Sequence, residues 1–352
     1  MSSTQTPPRA AAHRDAASPL AGMRSGIAKE STPACPCCLS TERRPLMEVT
    51  EHEYDTTTDD VFRFHECLSC GAWYLDPRPA ASALSIVYPP NYYAQASEKS
   101  QVSALPDSVN RRLFRARMAA YDRNASLSPE TTWLEIGVGQ GEFLERLRKF
   151  DGVTKTVGID FSERSVEICR EKGLEAYAVS FEDYEPPAGL RFDVIHSSHV
   201  IEHVASPRAY MEKVHRLLKP GGICVFDTPS LDTWERKAFG AYWGGLHVPR
   251  HWSLMTPEAA RKLGESTGFR YRETFFYPAV LFWIWSFHHT LERFLGRRIA
   301  DALFPSDHRI NDAGLLGVAR MVALTLFENL SIRLTGKSAN MTVVFEKLLD
   351  SG

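Results

Sequence analysis

This 352-residue chain has no stretch long and apolar enough to read as a membrane span. A spanning helix needs about 20 apolar residues. The greasiest segment, Phe275 to Phe287, is shorter and is broken by Pro278. No apolar run behind a basic start opens the sequence, so nothing points to secretion, and a soluble, cytoplasmic protein is expected. Charge of one sign is also lacking. Lys and Arg number 41 against 43 Asp and Glu, a formal net charge of −2 that offers no broad attraction for nucleic-acid phosphates. No nucleic-acid partner is expected. A disulfide framework is excluded as well, because seven cysteines are an odd number in a chain far longer than a stapled mini-domain. Their spacing is to be read first as metal chemistry in a reducing compartment. Large apolar side chains are nearly missing from residues 1–30, which reads as a disordered tail. Asp15 and two early prolines argue against an organellar presequence there. Internal repeats are missing too.

The remainder is ordinary globular material: 43% apolar and 24% charged residues, enough for one large α/β domain and a small satellite. A cysteine-bearing module occupies 31–80. A connector, 81–126, follows, with the run Tyr88-Pro89-Pro90-Asn91-Tyr92-Tyr93 and then a basic amphipathic helix, 107–126, carrying Leu113, Phe114, Arg117 and Met118 at helical spacing. From 127 to 350 strand-like and helical runs alternate. The strands are read at 133–136, 156–160, 176–179, 192–195 and 223–226, with later ones at 270–277 and 341–345. Such alternation predicts an α/β fold, a Rossmann-like sheet with helices on both faces. Helical segments at about 278–335 look like an insertion before the last strand.

The most informative run is Leu134-Glu135-Ile136-Gly137-Val138-Gly139-Gln140-Gly141-Glu142: a strand, a glycine turn and a helix start. Glycines let the backbone turn sharply and lie against a ligand, and the helix start aims free N–H groups at an anionic group. The spacing is E-x-G-x-G-x-G, not the dinucleotide G-x-G-x-x-G. Glu142 would sit near a pyrophosphate, which disfavours a nicotinamide-dependent oxidoreductase. A second strand ends in Gly158-Ile159-Asp160-Phe161-Ser162. A carboxylate there can accept both hydroxyls of a ribose, and Phe161 can lie against a purine. Ser162, not Asp160, is the expected N-cap of the next helix.

These motifs, followed by Phe192-Asp193-Val194-Ile195 and Leu217-Leu218-Lys219-Pro220-Gly221-Gly222, resemble the class I S-adenosylmethionine (SAM)-dependent methyltransferases over about 130–270. The segment His199-Val200-Ile201-Glu202-His203 resembles the ubiquinone-biosynthesis O-methyltransferase subgroup. The resemblance implies a seven-stranded sheet with a reversed last strand, and SAM bound over the C-terminal strand edges. It implies that Gly137, Gly139 and Gly141 contact the cofactor's amino-acid part above Glu135, that Asp160 takes the ribose and Phe161 the adenine, and that Phe181 and Glu182 lie near the adenine amine.

Cys35, Cys38, Cys67 and Cys70 form two C-x-x-C knuckles, which match a closed tetrahedral zinc-ribbon-like site. Four thiolates leave no place for water, so the expected Zn2+ is structural. Cys37 is spare, and a pairing through it stays open. Such a ribbon ahead of the catalytic domain also resembles several methyltransferases of this type.

Candidate catalytic residues are His199, His203 and His251, with His247 beside them. A neutral histidine near the methyl group can take the acceptor's proton. His199-x-x-Glu202-His203 also fits the H-x-x-E-H zinc-protease pattern, but that pattern needs a helix and these residues follow a strand. In the resembling subgroup an E-x-x-E-H segment helps hold a divalent ion; here His199 stands in place of the first acid. The expected activity is methyl transfer to a small-molecule, glycan or lipid-linked acceptor, with a zinc-ribbon nucleic-acid-binding protein as the alternative class. Aromatic residues of 275–287 are read as core or partner surface, or as a contact with a greasy acceptor or a membrane periphery. An oligomer is compatible with this reading.

Overall fold

The computed structural model describes residues 26–54, 57–89, 107–125, 127–305 and 314–349. Residues 90–106 of the connector and most of the N-terminal tail lie outside them. Within the described part, Lys29–Glu30 is not tail but strand β1, paired antiparallel with β5 (Arg78–Pro79). Strands β2 (Arg43–Val49), β3 (Phe62–Cys67) and β4 (Trp73–Leu75) make an antiparallel sheet. Its fourth member, β11 (Ser253–Leu254), arrives from far down the chain and pairs with Trp73 and Tyr74 of β4. A single turn, α1 (Leu84–Val87), leads out of this module, and α2 (Asp107–Asn124) leads into the large sheet.

The large sheet has seven strands: β6 (Thr132–Ile136), β7 (Lys155–Asp160), β8 (Glu175–Ala178), β9 (Phe192–Ser198), β10 (Leu218–Pro229), β12 (Phe269–Phe276) and β13 (Asn340–Lys347). Their order is β12-β13-β10-β9-β6-β7-β8, with β13 antiparallel to both neighbours, so the last strand is the reversed one. All seven strands read from the sequence are present. Side chains alternate across the sheet, as a period of two requires. Ile223, Val225 and Val344 face α2, α3 (Glu142–Asp151) and α4 (Glu163–Glu171). Cys224, Phe226, Val343 and Phe345 face α5 (Pro207–Leu217) and α7 (Pro257–Ser266). Both faces are therefore covered. Ser162, Ser206 and Thr256 accept backbone N–H bonds at the starts of α4, α5 and α7, so each helix begins where a hydroxyl can satisfy a free donor.

Two later segments complete the chain. The loop after β10 carries α6 (Trp234–Phe239) and a compact buried stretch from Trp243 to Met255. Between β12 and β13 stand α8 (Val280–Leu295), α9 (Arg297–Leu303) and α10 (Gly314–Thr335). The aromatic stretch is core: Phe282, Trp283, Ile284 and Trp285 are buried. Phe282, Ile284 and Trp285 share one hydrophobic cluster with Phe62, Phe64 and Trp73 of the N-terminal sheet and with Trp243, Leu246 and Trp252. Cys35, Cys67 and Cys70 in turn belong to the same cluster as Met255, Ala259 and Ile195, and Cys38 packs against it. The cysteine module is thus built into the body of the protein.

That shared packing has a measurable consequence. Exchange of Cys67 and Cys70 for serine is expected to lower stability by at least about 3 kcal/mol, a drop of roughly 5 °C or more. Calorimetry should show one transition for the whole chain. Two transitions, with the upper one unmoved, would mean that the module unfolds alone.

Candidate active site

The site is assembled at the C-terminal edge of the parallel strands, where open α/β sheets bind ligands. Gly137, Gly139 and Gly141 all have positive φ, of 73°, 52° and 79°, so the turn between β6 and α3 takes a path that other residues resist. The three play different parts. A Cβ on Gly141 would lie 2.5 Å from Leu174 and 3.0 Å from Cys169, so this buried glycine serves the packing of α3 and is not aimed at a ligand. A Cβ on Gly137 would lie 2.6 Å from Val200, so the loop after β9 rests directly on the turn. At Gly139 a Cβ would meet only open space, which is where a ligand can approach the backbone.

Asp160, at the tip of β7, accepts the Gly139 N–H at 2.9 Å on one oxygen and the Ser162 N–H at 2.9 Å on the other. It leaves the capping of α4 to Ser162, whose hydroxyl accepts the Ser165 N–H. A carboxylate has about four lone-pair directions, so acceptor capacity remains for two hydroxyls. Burial raises the Asp160 pKa against the pull of its N–H donors. Phe161 is 66% exposed, an open aromatic face beside that carboxylate. The residues present therefore fit the ribose and adenine of SAM. Tyr88 stands over the same edge, its ring 6.4 Å from Phe161 and 6.2 Å from His203. Sequence reasoning missed Tyr88 as a site residue; its only signal was the Tyr/Pro run.

Two expected cofactor residues sit elsewhere. Phe181 is buried against Tyr210 at 4.8 Å, with Lys213 over its ring, and belongs to the core under α5. Glu182 is exposed, and its carbonyl is held by Lys213 at 2.9 Å. Glu135 is buried under the turn and lies 3.4 Å from His196 Nδ1. His196 stacks on Phe143 at 4.5 Å and approaches Asp227 at 3.7 Å. Asp227 also takes Arg117 of α2 at 2.5 Å and the Thr342 hydroxyl at 2.5 Å. Burial alone would raise the Asp227 pKa, but Arg117 and His196 hold it well below the carboxylate range. This network locks α2 onto the floor of the site. Arg117 was legible only as one member of a basic helix.

Glu202 organises the histidines. It is fully buried, accepts the Thr228 hydroxyl at 3.0 Å on one oxygen and lies 2.9 Å from His199 Nδ1 on the other. Burial works to raise its pKa, but His199, His203 and His251 together hold it at about 2. His199 has the positive φ of 54° and half-exposed side chain of a residue forced into place, its N–H bound to the Asp227 carbonyl at 2.9 Å. Because Nδ1 faces the carboxylate, Nε2 is the atom left to take a proton. Glu202 outweighs burial and raises the pKa of His199.

His203 and His251 come together, their rings 4.8 Å apart. Each Nδ1 meets a carbonyl, Arg250 at 3.0 Å and Gly245 at 2.9 Å. A carbonyl only accepts, so each Nδ1 carries the proton and each Nε2 offers a lone pair. Burial lowers the pKa of both rings. Glu202, His203 and His251 present donor atoms within 4.8 Å of one another, close enough to share one cation. The loop that carries His251 is buried. His247 lies against His251, their rings 4.8 Å apart, and is buried on Trp285 with Nδ1 2.5 Å from Glu53 of the N-terminal module. Arg250 adds to that joint, pairing with Glu51 and lying over the Tyr54 ring.

At the N-terminal module, Cys35, Cys38, Cys67 and Cys70 place four sulfurs within 4.8 Å of one another. Leu39 and Gly71, each four residues after the first cysteine of its pair, have φ of 66° and 81°, and their N–H groups bond back to Cys35 and Cys67. The two turns are equivalent, as knuckles around one ion would be. Cys37 is buried outside that group.

A strand–glycine turn–helix over which a carboxylate and an open aromatic ring wait, on a sheet with a reversed last strand, defines a SAM-dependent methyltransferase domain. Residues 108–274 match a family of methyltransferase domains, and the chain carries such a domain. Its relatives include ubiquinone biosynthesis O-methyltransferases: that of Cereibacter sphaeroides is 32% identical over 146 residues, covering 38% of this chain and 58% of the relative. That of a Ruegeria species is 31% identical over 166 residues, covering 44% and 66%. That of Thiobacillus denitrificans is 34% identical over 119 residues, covering 32% and 50%. The chain thus spans little more than half the length of the first of these relatives.

The cofactor map is testable by calorimetry with SAM. Asp160→Ala removes charged acceptors for two hydroxyls and should weaken SAM binding about 10- to 100-fold. Phe181→Leu, a core change, should leave affinity nearly unchanged. Equal affinities for Asp160→Ala and the parent would refute the assignment.

Proposed function

We propose that the protein transfers a methyl group from SAM to an oxygen of a small-molecule, glycan or lipid-linked acceptor, with His199 as general base oriented by Glu202. The observation that carries the reading is the His199–Glu202 pair: a buried carboxylate on Nδ1 of a half-exposed histidine, on a loop that rests against the glycine turn. Bound SAM supplies an electrophilic methyl group on a sulfonium. The chain's own work is to hold the acceptor in line and to remove its proton. As the acceptor oxygen forms its bond to the methyl carbon and the carbon–sulfur bond breaks, leaving S-adenosylhomocysteine, the acceptor's proton passes to His199 Nε2, and Glu202 stabilises the imidazolium that results. The names of the relatives, all enzymes of ubiquinone biosynthesis that methylate oxygen, support an oxygen target. Glu202, His203 and His251 are the residues that would hold a divalent cation, which would lower the pKa of an acceptor hydroxyl bound to it. The four-cysteine group is proposed to hold one structural Zn2+, since four converging sulfurs leave no open coordination position.

Transfer of label from methyl-labelled SAM onto fractionated metabolites and lipid-linked sugars tests the activity. His199→Ala should then lower turnover about 10²–10⁴-fold while SAM affinity holds. Glu202→Gln should lower it too, and because Glu202 raises the His199 pKa, the limb of the pH–rate profile that reports His199 should move to lower pH in the variant. Parent-like turnover in His199→Ala would end the base assignment. Elemental analysis should find one zinc per chain, lost from Cys67→Ser with Cys70→Ser; metal-free protein isolated under reducing conditions would count against the zinc.

A further inference from the structure

The outer face of α10 is apolar where a solvated helix is normally polar. Val318, Val322, Leu326, Leu330 and Leu334 follow one another at every fourth residue, all exposed, with Leu326 at 67% and Leu334 at 77%. The inner face is apolar as well: Met321 and Leu324 pack on the cluster that contains Trp285 and Trp243. At the corner between α8 and α9 the exposed side chains are again large and apolar: Phe294, Leu295, Ile299 and Leu303. The corner and α10 meet, since Arg320 donates to the Leu303 carbonyl and lies over Phe304. Trp234 stands at the other end, 39% exposed, with its ring 6.0 Å from Phe327 and its indole N–H on Ser331 at 2.8 Å.

The exposed charges described on this face have one sign. Among the exposed described residues from Arg293 to Thr335 the ionisable ones are Arg293, Arg298 and Arg333, and none is Asp or Glu. The carboxylates of these helices are withdrawn: Glu292 and Asp301 are half-buried and paired with Arg297, and Glu328 is buried under Trp283 and Ser338. No described helix is long and apolar enough to cross a bilayer. A face of apolar ridge, arginine flanks and a rim tryptophan matches a helix that lies in a lipid–water interface, apolar side down and cations toward anionic headgroups.

We infer that the face formed by α10 and the α8–α9 corner docks the protein on an anionic lipid surface. The complementarity is of two kinds, apolar side chains for the acyl boundary and arginines for the headgroups, and it does not depend on what the acceptor is. The same α8 that ends at this corner begins beside the cleft, where the Phe282 ring lies 6.1 Å from His199. A docked protein would therefore hold its cleft a helix length from the lipid.

Co-sedimentation of the full chain with phosphatidylglycerol–phosphatidylcholine vesicles tests this, with pure phosphatidylcholine vesicles alongside. The parent should pellet with the anionic vesicles, and less so as salt is raised. Leu326→Glu with Leu330→Glu should reduce partitioning about 100-fold. Arg298→Gln with Arg333→Gln should reduce it about tenfold or more. All of these residues are exposed and away from the SAM site, so far-UV dichroism and SAM affinity should match the parent in both variants. Failure to pellet overturns the inference, as does equal binding to neutral vesicles. A parent dimer by light scattering that becomes monomeric in Leu326→Glu with Leu330→Glu overturns it too, because the face would then be covered by a second copy.

Discussion

One buried carboxylate holds the site together. Taking an ionised glutamate out of water costs several kcal/mol unless hydrogen bonds and opposite charge replace the lost solvent. Glu202 meets that requirement from three directions: the Thr228 hydroxyl at the end of β10, His199 on its own loop, and the imidazoles of His203 and His251. Its backbone carbonyl adds a fourth tie, accepting the N–H groups of Trp252 and Ser253 at 2.8 and 3.2 Å. A single residue thus joins the loop after β9 to the segment that becomes β11. The positions of all three candidate catalytic histidines follow from it.

The same junction explains why the cysteine module is not a satellite. A sheet of three short strands cannot bury enough apolar surface to stand alone. Phe62, Phe64 and Trp73 find their core on Trp243, Trp285 and Leu246, which belong to the loop after β10 and to α8. Its open edge is closed by β11. Its polar side is tied down by Glu51 and Glu53, which meet Arg250 and His247 in the protein interior. Burial pushes Glu53 up to about 7, so this joint sets a weakened acid and the His247 ring beside the Arg250 guanidinium. Function and fold share these contacts: the loop that presents His251 to Glu202 is the one that the module clamps from behind.

Much of this was legible in the chain. Seven strands, the reversed order implied by the family resemblance, the glycine turn, the acid at the tip of β7 and two cysteine knuckles are local patterns, each written within about ten consecutive residues. The exposed Phe161 and the Ser162 cap follow from the same short-range rules. Where the reading failed, the deciding contact came from elsewhere in the chain. Phe181 looked like a cofactor contact until α5 covered it with Tyr210. Gly141 looked like a ligand glycine until Leu174 and Cys169 filled the space beside it. The aromatic run of 282–285 was open between core and surface until the N-terminal sheet packed on it.

The histidines show the division most clearly. His199, His203, His247 and His251 are equivalent in sequence: polar rings on two loops near one sheet edge. Proton placement separates them, and it depends on partners 3 to 200 residues away: Glu202 for His199, carbonyls of Arg250 and Gly245 for His203 and His251, Glu53 for His247. By itself the sequence determined the sheet, the glycine turn and the cysteine spacing, because hydrophobic periodicity and glycine geometry act between near neighbours. The tertiary structure alone decided which histidine meets a buried carboxylate and which meets a carbonyl, and which described apolar face stays uncovered, because both depend on what distant segments bury.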